Sequence, residues 1–289
     1  MPEPIGLRSI LAAAAGLLAL AAAAAAATAA PLSLEGEPVQ GALLIGQAPP
    51  DHAVTLDGEP LLRASDGSFL IGFARDDTAS KTLIVTAPDG GRTEQVLAPA
   101  DREFEIQRID GLPPSKVTPD PEAMTRIRAE ASMTRAARER RDDRTDFLDG
   151  FIWPMTGPIT GVYGSQRILN GEPRNPHWGI DIAAPTGTPV VAPAGGIVTL
   201  VHDDMYFSGG TLLIDHGLGL SSAFLHLHRI LVEEGQRVEQ GEVIAEVGAT
   251  GRVTGPHLDW RMNLGPTRVD PGLLLPGFPN PPADDVASD

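Results

Sequence analysis

The chain has 289 residues, a formal net charge of −16 and an isoelectric point near 4.7. Nucleic acid binding needs a basic surface for the phosphates, so this charge argues against nucleic acid as a partner. The chain has no cysteine, which excludes disulfides and an anchor acylated on cysteine, so the fold depends on burial, with or without a metal.

Residues 1–29 are typical of a secretory signal. Arg8 is the positively charged flank, an alanine-rich apolar run extends from Ile10 to Ala27, and small residues precede a cleavage position after Ala29. A retained membrane anchor is the alternative, but the run is short and alanine inserts weakly compared with leucine. We predict cleavage, export across the inner membrane, no stable membrane anchor afterwards, and a location in the periplasm or cell envelope.

Residues 30–110 contain short, β-rich apolar runs separated by turn signals. The turns are marked by Asp57-Gly58, Asp66-Gly67 and Asp89-Gly90-Gly91. The runs themselves cover residues 42–45, 53–56, 68–71, 82–85 and 104–106. This regular spacing predicts a small β-sandwich that acts as an accessory domain, and it indicates no chemistry.

Residues 111–149 are predicted to be a linker with a connecting helix. The helix begins near Pro121, which a first helical turn tolerates, and extends to about Arg144. From Glu122 onward this stretch carries seven arginines and five acidic residues. An arginine-rich helix can bind a polyanion, whereas interleaved acids favour a solvated connector, and we predict the connector.

Residues 150–273 are rich in glycine, valine and short strand-like runs, without helical periodicity, and are predicted to form a nearly all-β domain with tight glycine turns. The tail, residues 274–289, is rich in proline and aspartate and is predicted to be disordered. The fold class is therefore mostly β: a sandwich, a helix and a second β domain.

The most informative stretch of the second domain surrounds His177 and Asp181. Zinc accepts histidine nitrogen and aspartate oxygen at about 2.0–2.2 Å, so two such ligands must lie close together. Gly179 and the nearby Pro185 argue against a helix here, and a straight strand separates positions four apart by about 13 Å. His177 is therefore predicted to lie in a bend that returns it to Asp181 on the following strand.

A second stretch carries His257 and Asp259, which are two positions apart. On a strand both side chains project from the same face, about 6–7 Å apart along the chain. This spacing allows one residue to bind a metal while the other stands beside the metal as an acid or base.

Together with Gly161-Val162-Tyr163-Gly164 and Phe224-Leu225-His226-Leu227, these stretches follow one another in a specific order over residues 151–270. In that order they resemble the LytM/lysostaphin-type zinc metallopeptidases, a family that cleaves peptide bonds in peptidoglycan. The resemblance implies a compact antiparallel β domain of the LytM type, with an open groove, a Zn²⁺ cofactor and peptidoglycan stem peptides as partners.

The resemblance also implies roles for individual residues. His177 and Asp181 match the first two zinc ligands of the family, and His226 and His257 match its two catalytic histidines. Asp259 stands where the family has a third ligand, a histidine. Aspartate is an accepted zinc ligand, so we predict a metal site of His177, Asp181 and Asp259.

Two alternatives follow from this departure. His228, on the same predicted strand as His226, is a candidate replacement ligand, although we expect it at the strand edge in solvent. The domain as a whole is either a zinc-dependent endopeptidase that hydrolyses peptide cross-links of peptidoglycan, or a catalytically silent module that binds the wall or activates an amidase. We favour the endopeptidase because four of the five site positions are intact.

Overall fold

In the computed structural model, residues 30–109, 121–169 and 171–275 are described. The predicted signal segment, the stretch 110–120 of the predicted linker, and residues 276–289 of the predicted tail lie outside the described residues. In the described ranges, no helix combines the length and the apolar character needed to cross a bilayer.

The N-terminal region forms two antiparallel sheets. The first has the order β1-β2-β5 and the second β4-β3-β6-β7, with the strands β1 (Ser33–Glu35), β2 (Leu43–Gln47), β3 (Ala53–Leu56), β4 (Glu59–Pro60), β5 (Ser68–Gly72), β6 (Lys81–Thr86) and β7 (Arg92–Leu97). The hairpin between β3 and β4 turns at Asp57 and Gly58, whose φ angles are 51° and 85°. Positive φ at both positions is the requirement of a type I′ turn, which explains the Asp-Gly pair.

Strand β5 is buried on both of its faces because it belongs to two cores. Phe69 and Ile71 point into the sandwich with Leu83 of the opposite sheet. Leu70, between them in sequence, points the other way and joins the core of the C-terminal region. Alternation along a strand therefore makes β5 the contact between the two regions.

A single α-helix is present in the described ranges, α1 (Pro121–Ala137). It ends well before Arg144, because the bonds Arg138 N to Arg135 O and Glu139 N to Ala136 O tighten its last turn. The strand before it, β8 (Ile106–Ile109), pairs in parallel with β10 of the C-terminal region (Gln166–Leu169) and with neither sheet of the sandwich.

The C-terminal region is built on an eight-stranded sheet of order β18-β14-β15-β16-β20-β12-β9, with β21 paired to β20. Its strand pairs are antiparallel, which confirms the predicted fold class. The strands of this sheet are β9 (Ile159–Gly161), β12 (Gly179–Ala183), β14 (Gly196–Met205), β15 (Gly209–Asp215), β16 (Leu220–Leu227), β18 (Arg237–Val238), β20 (His257–Leu264) and β21 (Thr267–Val269). Outside it, β11 (Glu172–Pro173) pairs with β10, and β13 (Pro189–Val191), β19 (Val243–Glu246) and β17 (Arg229–Ile230) form a small sheet in that order.

The two faces of this sheet have different environments. On one face, Ile180, Phe224 and Trp260 are fully buried in the main core. On the other face a smaller cluster of Leu200, Met205, Leu213, Ala223 and Leu225 is covered by Ala137 at the end of α1. The polar residues of β12 and β20 alternate with the core residues, so they lie on the helix side of the sheet.

Candidate metal centre

Strands β12 and β20 bring the two predicted site stretches together. They pair antiparallel, and their register sets Asp181 directly opposite Asp259. Like charges in directly opposed positions destabilise a sheet unless a positive partner lies between them. The register therefore creates a negative position that requires a cation or a cationic side chain.

His177 lies immediately before β12, in a bend held by two backbone hydrogen bonds. Its amide donates to Ser165 O at 2.7 Å, and its carbonyl accepts from Gly164 N at 2.8 Å. The bend places Nε2 of His177 3.2 Å from Oδ1 of Asp181. This geometry confirms the bend predicted from the spacing of the two residues.

The donor atoms of His177, Asp181 and Asp259 all lie within 4.8 Å of one another. Nε2 of His177 and Oδ1 of Asp181 are buried and face each other, and neither has any other hydrogen-bond partner among the described residues. Buried polar atoms are normally satisfied. A divalent cation bound by one imidazole and two carboxylates satisfies both atoms with donors that zinc accepts, so the residues fit the metal.

Two glycines make room for the carboxylates. A Cβ at Gly161 would stand 2.3 Å from Oδ2 of Asp181, and a Cβ at Gly179 would stand 2.6 Å from Oδ1 of Asp259. Both distances are shorter than the contacts that real Cβ atoms make. Glycine at these positions lets the backbone of β9 and β12 approach the site closely.

Arg261 is a site residue that the motif comparison did not identify. It lies two positions beyond Asp259 on β20, and its Nε donates to both carboxylate oxygens of Asp259, at 2.9 and 3.1 Å. Burial alone would raise the pKa of Asp259, but the Arg261 guanidinium outweighs it and holds that pKa below its usual range. The alternation of side chains along a strand was the signal that could have found Arg261.

Asp259 retains capacity for a metal despite this pairing. A carboxylate has about four lone-pair positions on its two oxygens, and the Arg261 fork uses only part of them. At His177, burial disfavours the imidazolium, but the carboxylates of Asp181 and Asp259 outweigh burial and raise the pKa. The same negative potential attracts a cation.

His226 and His257 lie beside this cluster. Their ring centroids are 4.9 Å apart, and Nε2 of His257 lies 3.8 Å from Oδ1 of Asp181. The Nδ1 atoms face the carbonyl oxygens of Thr250 and Gly255, each at 2.9 Å. A carbonyl only accepts, so each Nδ1 carries the proton and each Nε2 is left to exchange one. Burial lowers the pKa of His226, which favours the neutral base.

His228 does not join the cluster. Strand β16 ends at Leu227, and the positive φ of His226, 65°, breaks the alternation that would have aligned the two histidines. The His228 side chain is exposed. Of the two possibilities considered for His228, the solvent-exposed position is the one observed.

The family model described as Peptidase family M23 matches residues 175–271. The cell division protein DipM of Caulobacter vibrioides is 36% identical over 132 residues, which are 44% of this chain and 21% of that protein. The peptidoglycan DD-endopeptidase ShyB of Vibrio cholerae is 37% identical over 145 residues, 50% of this chain and 31% of that protein. The chain thus spans less than a third of the length of these relatives.

A solved structure from Pseudomonas aeruginosa, described as an M23 peptidase, is similar over a larger part of the chain. It is 31% identical, the match covers 82% of this chain and 95% of that chain, and the TM-score is 0.60. Coverage of 82% exceeds the C-terminal region alone, so part of the N-terminal region is shared. With the family motifs in order and the fold in common, the chain belongs to peptidase family M23.

Proposed function

We propose that the protein is a zinc-dependent endopeptidase that hydrolyses peptide cross-links of peptidoglycan. The observation that carries the proposal is one cluster in which three metal donors lie beside two histidines with anchored Nδ1 atoms. When bound, zinc supplies Lewis-acid chemistry: it polarises a scissile carbonyl and makes water a nucleophile at neutral pH. His177, Asp181 and Asp259 would hold it.

The two histidines supply the proton transfers. The neutral Nε2 of His226 or His257 takes a proton from the attacking water, and the resulting imidazolium later gives a proton to the leaving amine. A protonated Nε2 also stabilises the oxyanion that develops between these steps. The bonds from Nδ1 to Thr250 and Gly255 hold both rings in the tautomer that these transfers require.

Family membership and the names of the relatives support the proposed substrate and location. ShyB and ShyA of Vibrio cholerae are both named peptidoglycan DD-endopeptidases. We extend this substrate class to the present chain, with peptidoglycan stem peptides as partners. We propose the periplasm or cell envelope as its location, where such a substrate is found.

One observation favours a second function, a catalytically silent module that binds the wall or activates an amidase. The Arg261 guanidinium already supplies positive charge to Asp259, and a site neutralised in this way keeps its shape without a metal. In that case the groove would bind peptidoglycan peptides or an amidase without cleaving a bond.

Digestion of purified peptidoglycan by the zinc-loaded protein, followed by chromatography and mass spectrometry of the fragments, separates the two functions. We expect cross-linked fragments to disappear in favour of monomers. His226→Ala and His257→Ala should each slow this conversion by about 10²–10⁴-fold, the usual contribution of general acid–base catalysis. His228→Ala, two positions from His226 and exposed, is the matched control and should retain activity. Unchanged fragments from several wall types would remove the endopeptidase proposal.

A further inference from the structure

A cavity of about 780 Å³ lies between α1 and the helix side of the large sheet. Ile127 and Ala131 of the helix line one wall, and Leu225 of β16 and Phe207 line another. His226 also lines the cavity, and the Arg261 that lines it is bonded to Asp259. The cavity therefore borders the candidate site at His226 and Arg261, while the three metal donors themselves do not line it.

The polar lining of this cavity is strongly basic, although the whole chain has a net charge of −16. Two glutamates, Glu130 and Glu139, are also present. Glu130 is bonded elsewhere, to Nε of Arg126 at 2.7 Å and the amide of Tyr206 at 2.9 Å, and Glu139 is exposed. The lining arginines are Arg135, Arg138, Arg141, Arg252, Arg261 and Arg268.

Most of these arginines have no carboxylate partner. Among the described residues, Arg261 alone of the six forms an ion pair with an acid. Arg252 and Arg268 lie over the rings of Phe207 and Trp178, at 4.3 and 4.9 Å. Nε of Arg138 is buried and has no hydrogen-bond partner in the part of the chain that the structure describes. Positive charges that are held close together without acidic partners can bind an anion.

The electrostatics agree with the geometry. Burial, followed by repulsion from Arg268 and Arg261, lowers the pKa of Arg138 to about 10. Burial, followed by repulsion from Arg261, lowers the pKa of Arg268 to about 10 as well. Both side chains remain charged at neutral pH, so an incoming anion would reduce the repulsion among these arginines.

We propose that this cavity binds the carboxylates of a peptide, and that Arg138 and Arg268 are its principal contacts. The inference rests on the proposed function and deepens it: the peptide is a carboxylate-bearing stem peptide of peptidoglycan, held next to His226. A guanidinium fork matches a carboxylate with two parallel hydrogen bonds. The apolar walls formed by Ile127 and Leu225 suit the aliphatic parts of such a peptide, and the volume is that of a small-ligand site.

The experiment is isothermal titration calorimetry on the full chain. It compares the affinity for a synthetic stem tetrapeptide whose carboxylates are free with the affinity for the same peptide after amidation. A monomeric peptide has no cross-link, so binding is measured without turnover. We expect the amidated peptide to bind at least about tenfold more weakly than the free acid, because each charge-assisted hydrogen bond contributes a factor of about ten or more.

Arg138→Gln and Arg268→Gln should each weaken binding of the free acid by about tenfold. Arg128→Gln is the matched control, since Arg128 is an exposed arginine on α1 outside the cavity, and should bind as the wild type does. The Arg138→Gln variant removes a buried charge that has no partner, so its Tm should not fall. The comparison of the two peptides uses wild-type protein and is independent of how the variants fold.

Equal binding of the two peptides, no binding of either, or displacement of the free acid by an equal concentration of inorganic phosphate would overturn the inference. The outcome is separable from that of the proposed function. If the protein discriminates between the two peptides but does not digest peptidoglycan, the carboxylate-binding cavity is supported and the endopeptidase proposal is wrong. If the protein digests peptidoglycan, the Arg138→Gln variant has an unchanged KM and the two peptides bind equally, the endopeptidase proposal is supported and the carboxylate-binding cavity is wrong.

Discussion

The pair of Asp259 and Arg261 changes how the departure from the family pattern is understood. The resemblance expects a neutral histidine at position 259, and an aspartate there adds one negative charge to the site. Arg261 adds one positive charge and bonds directly to that aspartate. The net charge around a bound divalent ion would therefore be the same as with a histidine ligand, so such an ion would keep the excess positive charge that makes a metal useful as a Lewis acid.

Arg261→Gln tests this pairing. The substitution leaves a buried carboxylate without its cation, which costs about 3–5 kcal/mol in the free energy of unfolding when no metal is present. Zinc then binds a site of higher negative charge, so the zinc-induced rise in Tm should be larger in the variant than in the wild type. Thermal unfolding with a chelator and with added zinc measures both quantities.

The control for that variant is Arg229→Gln. Arg229 pairs with Glu246, but its side chain is 63% exposed, and an exposed ion pair contributes at most about 1 kcal/mol. A chelated Arg261→Gln protein as stable as the wild type would show that Asp259 does not depend on Arg261.

His216 is a buried histidine that contributes to stability without being near the site. Its Nδ1 donates to Gly195 O at 2.7 Å, and Ser222 lies 2.8 Å from its Nε2. Burial lowers its pKa from 6.5 to about 4. Between pH 6.5 and 4, His216 is protonated in the unfolded chain but stays neutral in the folded chain. The free energy of unfolding therefore falls as the pH falls, by about 3 kcal/mol in total.

We therefore expect His216→Gln to flatten the dependence of stability on pH between about 6.5 and 4. Urea unfolding at pH 7.5, 6, 5 and 4.5 measures the slope. His228→Gln, which changes an exposed histidine, should keep the wild-type slope. The attribution to His216 is wrong if its variant follows the wild-type curve over this window.

The segment that follows α1 docks onto the turn between β15 and β16. The amide of Leu218 donates to Asp142 O at 3.1 Å, and Arg144 forms an ion pair with the buried Asp215. Gly217 makes the docking possible: its φ is +95°, and a Cβ there would stand 1.9 Å from Arg144 O. This backbone contact attaches the connecting segment to the sheet.

Gly217→Ala should therefore be strongly destabilising, and Gly90→Ala provides a matched comparison. Gly90 has a similar φ of +88°, but a Cβ there meets nothing within 4 Å. Both substitutions incur the cost of about 1–2 kcal/mol for a left-handed residue. Overlap with backbone adds about 1–3 kcal/mol at position 217 only. Chemical denaturation of both variants measures this difference, and equal losses would contradict the docking.

Periodicity and turn chemistry predicted most individual elements, but they did not predict how the elements pair. The Asp57-Gly58 hairpin and the bend at His177 followed from local rules, since they depend on residues within four positions. The parallel pairing of β8 with β10 is a long-range contact that no local pattern records. The helix was predicted to be a solvated connector, yet its last turn covers the sheet and Arg138 lines a cavity, because the partner surface is distant in sequence.

At the scale of the whole molecule, the two faces of the large sheet have different neighbours. Side chains of β5 contribute to the core of the N-terminal sandwich and to the core of the C-terminal region, so the two regions pack against each other there. The helix closes the opposite face, where the candidate metal centre and the arginine-lined cavity adjoin. Residues that precede the family motifs, such as Ile127 and Arg138, line this cavity, although the motifs lie in residues 151–270 alone.

The zinc content of the protein, measured by elemental mass spectrometry on material purified without chelators, tests the central proposal most directly. We expect one zinc ion per chain in the wild type and in His228→Ala, and strongly reduced zinc in His177→Ala and Asp259→Ala, since each of those residues would donate a ligand. Wild-type protein that contains no zinc and gains none when zinc is added would contradict the proposed metal centre.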